Sequence, residues 1–68
     1  MIKVTQITNR YVNNEVQVSL FSDTKTEVTP SATIEGLPEN AVIAQGSTVV
    51  TADGEVAFMK STGEWNWV

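Results

Sequence analysis

The chain has 68 residues, of which four are basic and eight acidic, and it contains neither histidine nor cysteine. This composition excludes a disulfide framework, a thiolate or imidazole metal site, and any nucleophile that works with a histidine base. Four scattered cations also argue against nucleic-acid binding, because they cannot neutralise a run of phosphates. No apolar stretch approaches the roughly 18 residues of a membrane span, and the first residues lack the apolar core of a signal peptide.

Size and residue types together predict the fold class. Valine, threonine and isoleucine supply 23 of the 68 residues, whereas leucine occurs twice. Because β-branched side chains pack well on a pleated surface, we expect residues 1–68 to form a single small β domain. The expected architecture is all-β, a small antiparallel sandwich or partly open barrel of about five to six strands, built from an N-terminal hairpin and a C-terminal three-stranded meander.

The small size of the domain limits its stability and thereby predicts a partner. A domain of this size buries too little apolar surface to offset its ordering entropy by a wide margin, and small natural domains add disulfides, metals or a partner. Since the composition offers no thiolate or imidazole, we expect a homo-oligomer or a complex with a larger protein.

The N-terminal hairpin is predicted to turn at Asn13-Asn14, because asparagine tolerates the left-handed conformation of a type I′ turn. A two-residue loop there pairs Tyr11 with Val16, Asn9 with Val18 and Ile7 with Leu20, and it places these apolar side chains on one face. Ile2 and Val4 then fall on the polar face. Either a bulge near Thr5-Gln6 or a terminus that is covered on both sides would account for them.

The middle of the chain is less regular. Residues 22–25 indicate a turn, residues 26–29 a short extended piece that ends before Pro30, and residues 32–35 a short strand closed by Gly36. Residues 38–46 fit two structures equally well. One is a short helix between Pro38 and Gly46, and the other is an irregular loop that buries Val42 and Ile43.

The C-terminal third predicts the meander, with turns at Asp53-Gly54 and Thr62-Gly63. Two-residue loops in both turns place Phe58 between Val49 and Trp67. One face of the meander then carries the aromatic residues Phe58, Trp65 and Trp67, and the other carries Val50, Ala57, Met59 and Val68. Since both faces are apolar, we expect both to be covered.

Three pairs of carboxylates are the candidates for acid–base chemistry: Asp23 with Glu27, Glu35 with Glu39, and Asp53 with Glu55. Each pair lies at or near a predicted turn, where acidic residues commonly bond the local backbone. We interpret them as solvated turn residues, and we expect no catalytic residue, no metal site, no cofactor and no enzymatic activity.

Trp65 and Trp67 lie two residues apart on a predicted strand and therefore share a face. They either close the core or a subunit interface, with the stem of Lys60 over one ring, or form a platform on which a sugar ring stacks. The candidate interface comprises Phe58, Met59, Trp65, Trp67 and Val68.

Residues 44–65 carry a recognisable order of small motifs. Gly46-Ser47 opens a strand, Asp53-Gly54 forms an acidic turn, Phe58 lies mid-strand, and Trp65 follows the Gly63 turn. This order resembles a small β module in structural proteins of tailed bacteriophages and prophages, and the whole chain looks like the short prophage-encoded head and tail proteins of Gram-positive bacteria. The resemblance implies a virion-associated or assembly protein, located in the virion or in the bacterial host cytoplasm, without catalytic residues.

The leading hypothesis is therefore a non-enzymatic structural or interaction module that docks through an apolar β surface. Its expected partner is a second copy or a larger virion protein, with no role for nucleic acid or a membrane. The alternative is a glycan- or host-surface-binding module that uses Trp65 and Trp67, a less favoured partner class. A small inhibitor of a host protein fits the acidic charge equally well.

Overall fold

A computed structural model describes residues 1–29 and 32–68 of the chain, and the strands in this part form one mixed sheet. The strands are β1 (Ile2–Arg10), β2 (Glu15–Ser22), β3 (Ile34–Glu35), β4 (Val42–Ile43), β5 (Thr48–Thr51), β6 (Val56–Met59) and β7 (Trp65–Trp67). Their order is β3-β1-β2-β5-β6-β7, and β4 also pairs with β2. The sheet is open, and the described residues contain no helix. The predicted all-β class is confirmed.

The predicted hairpin and meander are both present. β1 and β2 pair antiparallel, as do β5 with β6 and β6 with β7. Three further pairs are parallel, namely β1 with β3, β2 with β4 and β2 with β5. The parallel pair of β2 with β5 joins the hairpin to the meander, which the sequence did not indicate.

The N-terminal turn forms as predicted, but its register differs. Asn13 and Asn14 both have positive φ angles, of 62° and 63°. The amide of Tyr11, rather than that of Val12, donates to the carbonyl of Glu15 (2.8 Å). This extra residue moves the pairing by one position, so that Val16 faces Arg10 instead of Tyr11. The predicted place of Tyr11 on the buried face is therefore wrong, and its side chain is exposed.

Two bulges then shift β1 further along β2. The register changes between Val4 and Gln6, as predicted, and again between Ile7 and Asn9. The threonine skipped in each bulge donates its hydroxyl to a carbonyl of β2, Thr5 to Ser19 and Thr8 to Gln17, both at 3.0 Å. The longer turn and the shift between Ile7 and Asn9 pair Ile7 with Val18 instead of the predicted Leu20. The shift between Val4 and Gln6 then turns Ile2 toward the core.

Both meander turns contain three residues instead of the predicted two. The amide of Thr51 donates to Glu55, and that of Lys60 donates to Glu64, each at 2.9 Å. In each turn the third residue is a glycine with φ near +90°, 89° at Gly54 and 86° at Gly63. This is the common three-residue hairpin loop, in which a left-handed glycine follows a tight turn.

The longer turns reverse the predicted faces of β6 relative to β5 and β7. Because side chains alternate along a strand, a slip of one residue moves every side chain to the other face. Ala57, instead of Phe58, lies between Val49 and Trp67, and Phe58 lies between Thr48 and Asn66. The predicted aromatic face is therefore wrong. Ala57 and Met59 share the buried inner face with the tryptophans, whereas Phe58 is on the outer face.

The crossover segment, residues 23–47, connects the parallel strands β2 and β5 and covers the inner face. Its apolar side chains pack against the sheet core, which is formed by Ile2, Val16, Val18, Leu20, Val49 and Ala57. β3 confirms the strand predicted within residues 32–35. Residues 26–29 contain a turn instead of a strand, and Pro30 lies outside the described residues.

The helix considered for residues 38–46 is absent from the structure, and the irregular loop is present. Turns at residues 39–40 and 45–46 flank the two-residue strand β4. Ile43 is partly buried against the core, but Val42 is exposed, so the loop buries only one of the two residues expected.

β4 and β5 lie along the same side of β2 as one broken strand. Val16 faces Ile43 and Ser19 faces Thr48, so the broken strand contains two more residues than β2 over this interval. The hydroxyl of Ser47, which is 0% exposed, accepts a hydrogen bond from the amide of Val18 (3.0 Å). Ser47 therefore satisfies a backbone donor that the break leaves without a carbonyl partner.

We expect the Ser47→Ala variant to be about 1–3 kcal/mol less stable than the wild type, because the buried Val18 amide loses its acceptor. Ser61→Ala, which removes an exposed hydroxyl from the second meander turn, is the matched control and should change stability by less than about 0.5 kcal/mol. Urea unfolding followed by circular dichroism measures both. Equal midpoints for the two variants would contradict this role for Ser47.

Candidate functional site

The first candidate surface is an apolar groove, here the inner groove, between β7 and the crossover segment. Trp65 and Trp67 form one side, and Met59 pairs with Trp65 on the neighbouring strand. The groove has a volume of about 590 Å³. Apolar residues of the crossover segment contribute to its lining, namely Val28, Ala32, Ile34, Leu37, Ala41, Val42 and Ile43.

A lysine covers one of the two indoles. The ammonium of Lys25 lies 4.9 Å from the centre of the Trp67 ring, a distance at which the ring attracts a cation. Lys25 belongs to the crossover segment, so this contact fastens the segment to β7. We expected Lys60 to lie over an indole, but Lys25, which is distant in sequence from both tryptophans, makes the observed contact.

The second candidate surface is the outer patch, a group of apolar side chains on the opposite side of the sheet. Register places them together: Phe21 faces Val50, Val50 faces Val56, and the amide of Val68 donates to Val56 (2.9 Å). Phe58 lies two residues further along β6, on the same face. Val50 is 46% exposed and Phe58 is 45% exposed. The outer patch, defined by Phe21, Val50, Val56, Phe58 and Val68, thus reaches across β2, β5 and β6 to the end of β7.

The structure divides the five candidate interface residues between these two surfaces. Phe58 and Val68 belong to the outer patch, whereas Met59, Trp65 and Trp67 line the inner groove. Met59 is buried, and the two tryptophans are half-buried. The sequence prediction had instead placed Phe58 on one face with the tryptophans, and Met59 on the other face with Val68. The glycines of both turns do not distinguish the two arrangements, because a residue followed by glycine suits two-residue and three-residue loops alike.

Asp23 and Glu27 are brought together by the N-terminal ammonium. It donates to Asp23 Oδ2 (2.8 Å) and contacts the Glu27 carboxylate at 2.6–2.8 Å. Glu27 also accepts hydrogen bonds from the Ser22 hydroxyl (2.7 Å) and from the Asp23 amide (3.2 Å). This network joins the start of β1, the end of β2 and the crossover segment.

The hydrogen bonds of the network shift the pKa values of Glu27 and of the Met1 amine. The Met1 ammonium, and next the Ser22 hydroxyl, hold the pKa of Glu27 below its ordinary value of 4.5. In return, the hydrogen bonds to Asp23 and Glu27 raise the pKa of the Met1 amine above 8.0. Both groups are thereby kept charged near neutral pH, which suits an ion pair better than a proton-transfer site.

The other two carboxylate pairs stabilise turns or lie on the surface. Asp53 accepts a hydrogen bond from the Thr51 hydroxyl, and the amide of Glu55 donates to the same hydroxyl oxygen (2.9 Å). Glu35 and Glu39 are both exposed. Within residues 1–29 and 32–68, no three acidic side chains come close enough to hold a metal ion. The same residues contain no helix long and apolar enough to cross a membrane.

Comparison of the chain with known protein families, curated proteins and solved structures finds no match.

The Glu27 network predicts a pH-dependent contribution to stability. Because the folded-state pKa of Glu27 is lowered, its contribution is present above pH 4.5 and is lost as the pH falls through the folded value. Because the pKa of the Met1 amine is raised, its contribution is present below pH 8.0 and is lost as the pH rises through the folded value. The destabilisation caused by Glu27→Gln should therefore be largest between these two limits.

Urea unfolding across a pH series measures this difference. Glu39→Gln removes the same charge from an exposed position in the 39–40 turn and is the matched control. A Glu27→Gln effect that stays constant from acid to alkaline pH would contradict the network.

Proposed function

We propose that this chain is a non-enzymatic structural or interaction module, a component of a phage or prophage virion or of its assembly, which docks through the outer patch. The observation that supports docking is the exposure of apolar residues from neighbouring strands on one face of the sheet. Contiguous exposed apolar patches on small proteins commonly mark interaction sites. The crossover segment covers only the inner face of the sheet. The outer patch can therefore be removed from contact with water only by a partner.

The rigidity and the residue types of the outer patch favour a protein partner. Its side chains stand on strands held by hydrogen bonds on both sides at β2, β5 and β6, so little ordering is needed on binding. Two phenylalanines provide large apolar contact areas, a property of interface anchors. Ser19, Thr48 and Asn66 lie on the same face and supply polar groups beside Phe58.

The phage or prophage setting is supported by the order of motifs in residues 44–65, and the structure gives these motifs definite places. Gly46-Ser47 precedes β5, Gly54 and Gly63 complete the two meander turns, and Trp65 begins β7. The carboxylates that were candidates for catalysis lie in turns, in the N-terminal ion network or on the surface. These positions of the carboxylates support a docking role better than a catalytic one.

Docking through the outer patch predicts that the double variant Val50→Thr/Phe58→Thr folds but no longer associates with virions. Threonine retains strand propensity, and both positions are about half exposed, so the fold should persist. The matched control is Tyr11→Thr/Val12→Thr, which changes two apolar residues, 49% and 79% exposed, at the hairpin end.

The measurement is co-sedimentation of tagged protein with particles purified from an induced lysogen. We expect the wild type and the control to be found in the particle fraction and the Val50→Thr/Phe58→Thr variant to be depleted from it. Wild type absent from particles and from their assembly intermediates would contradict the virion role. Equal amounts of all three proteins in particles would contradict docking through the outer patch.

Glycan or host-surface binding is the second candidate function, and the open inner groove with its two indoles favours it. Lys25 stands over the Trp67 ring, however, and competes with a sugar for the face on which it would stack. Binding at this site predicts that cell-wall polysaccharide shifts the tryptophan emission of the wild type. The docking proposal predicts unchanged emission over a broad polysaccharide panel.

A further inference from the structure

The free edge of β7 has a hydrogen-bonding pattern that can be read from its pairing with β6. The amide of Lys60 donates to Glu64, and that of Val68 donates to Val56. Because hydrogen-bonded and non-bonded pairs alternate in an antiparallel ladder, Asn66 bonds Phe58, whereas Trp65 and Trp67 form non-bonded pairs with β6. The amides and carbonyls of Trp65 and Trp67 therefore point away from the sheet, toward the free edge.

These outward groups are arranged symmetrically about Asn66. If a second β7 lies antiparallel with Asn66 opposite Asn66, each Trp65 lies directly opposite a Trp67 of the other copy. The amides and carbonyls of both residues point toward the other copy, so each of the two Trp65–Trp67 pairs forms two backbone hydrogen bonds, four in all. The sequence of β7 is thus complementary to itself, as an interface with two-fold symmetry requires.

This edge also lacks the usual protection against pairing. Natural edge strands are commonly protected by charges, proline or bulges. β1 has two bulges and is partly covered by β3, but β7 is uncharged from Trp65 to Trp67 and contains neither proline nor a bulge. Each copy has a formal charge of −4, but residues 65–67 contribute none of it, so no charged side chains face each other along these three paired residues.

Pairing also brings indoles of the two copies together, because the residue opposite Trp67 in the paired arrangement is Trp65 of the second copy. The indoles of both copies lie on the inner face, and pairing joins the two inner grooves into one continuous surface with four tryptophans.

We propose that two copies of this chain pair antiparallel through β7, with Asn66 on the two-fold axis. This inference rests on the proposed function, because it names a second copy as one partner of the module. It uses the β7 edge, however, and leaves the outer patch available to the virion.

The pairing is tested by sedimentation velocity over a wide concentration range. The wild type should shift from the 7.4 kDa chain mass toward twice that mass as concentration rises. Asn66→Lys places two ammonium groups directly opposite each other and should weaken dimerisation by at least about tenfold. Val12→Lys adds the same charge at the exposed hairpin end and should leave the dimer unchanged. Asn66→Thr should also dimerise, since threonines pair well across strands.

Amide hydrogen exchange of the wild type provides a readout that depends on no variant. The amides of Trp65 and Trp67 should exchange more slowly as concentration rises, since pairing covers them. A wild type that stays monomeric, or Trp65 and Trp67 exchange rates independent of concentration, would overturn the inference. A dimer that Asn66→Lys leaves intact would overturn the β7 interface. Because virion association is measured separately on the outer patch, failure of either proposal is recognised on its own.

Discussion

β2 and β5 lie side by side in parallel, so the chain between Ser22 and Thr48 has to return along the length of the sheet. The crossover segment makes this return and places its apolar side chains on the inner face, where they form the second layer of the core. β2 also pairs with β1 and β4, which makes it the strand that joins the hairpin to the meander. Ser47 maintains this arrangement at the break between β4 and β5, where its hydroxyl replaces a missing carbonyl.

A single crossover segment covers a single face. The inner face therefore contains the core and the groove beside Trp65 and Trp67, and the outer face retains Val50 and Phe58 in partial contact with water. In a domain this small, both layers are thin and the sheet is open at β7. These features explain why two distinct surfaces, the outer patch and the β7 edge, are available for partners on one short chain.

Local chemistry allowed much of the fold to be predicted. Asparagine tolerance of positive φ placed the first turn, and the parity of Ile2 and Val4 indicated the bulge between Val4 and Gln6 as one of two alternatives. The face of Phe58 could not be fixed in this way, because an acidic residue followed by glycine suits both two- and three-residue loops. The contact of Lys25 with Trp67 and the parallel pairing of β2 with β5 depend on tertiary packing, for which the local sequence contains no signal.

The assignment of faces is tested most directly by comparing the accessibility of two neighbouring residues in β6, Phe58 and Met59. The natural chain has no cysteine, so Phe58→Cys and Met59→Cys each introduce a single thiol, and circular dichroism verifies that both variants remain folded. With a water-soluble maleimide under native conditions, we expect fast labelling at position 58, on the outer face, and strong protection at position 59, in the core. Equal labelling rates, or faster labelling at position 59, would contradict the three-residue turns and the assignment of faces that follows from them.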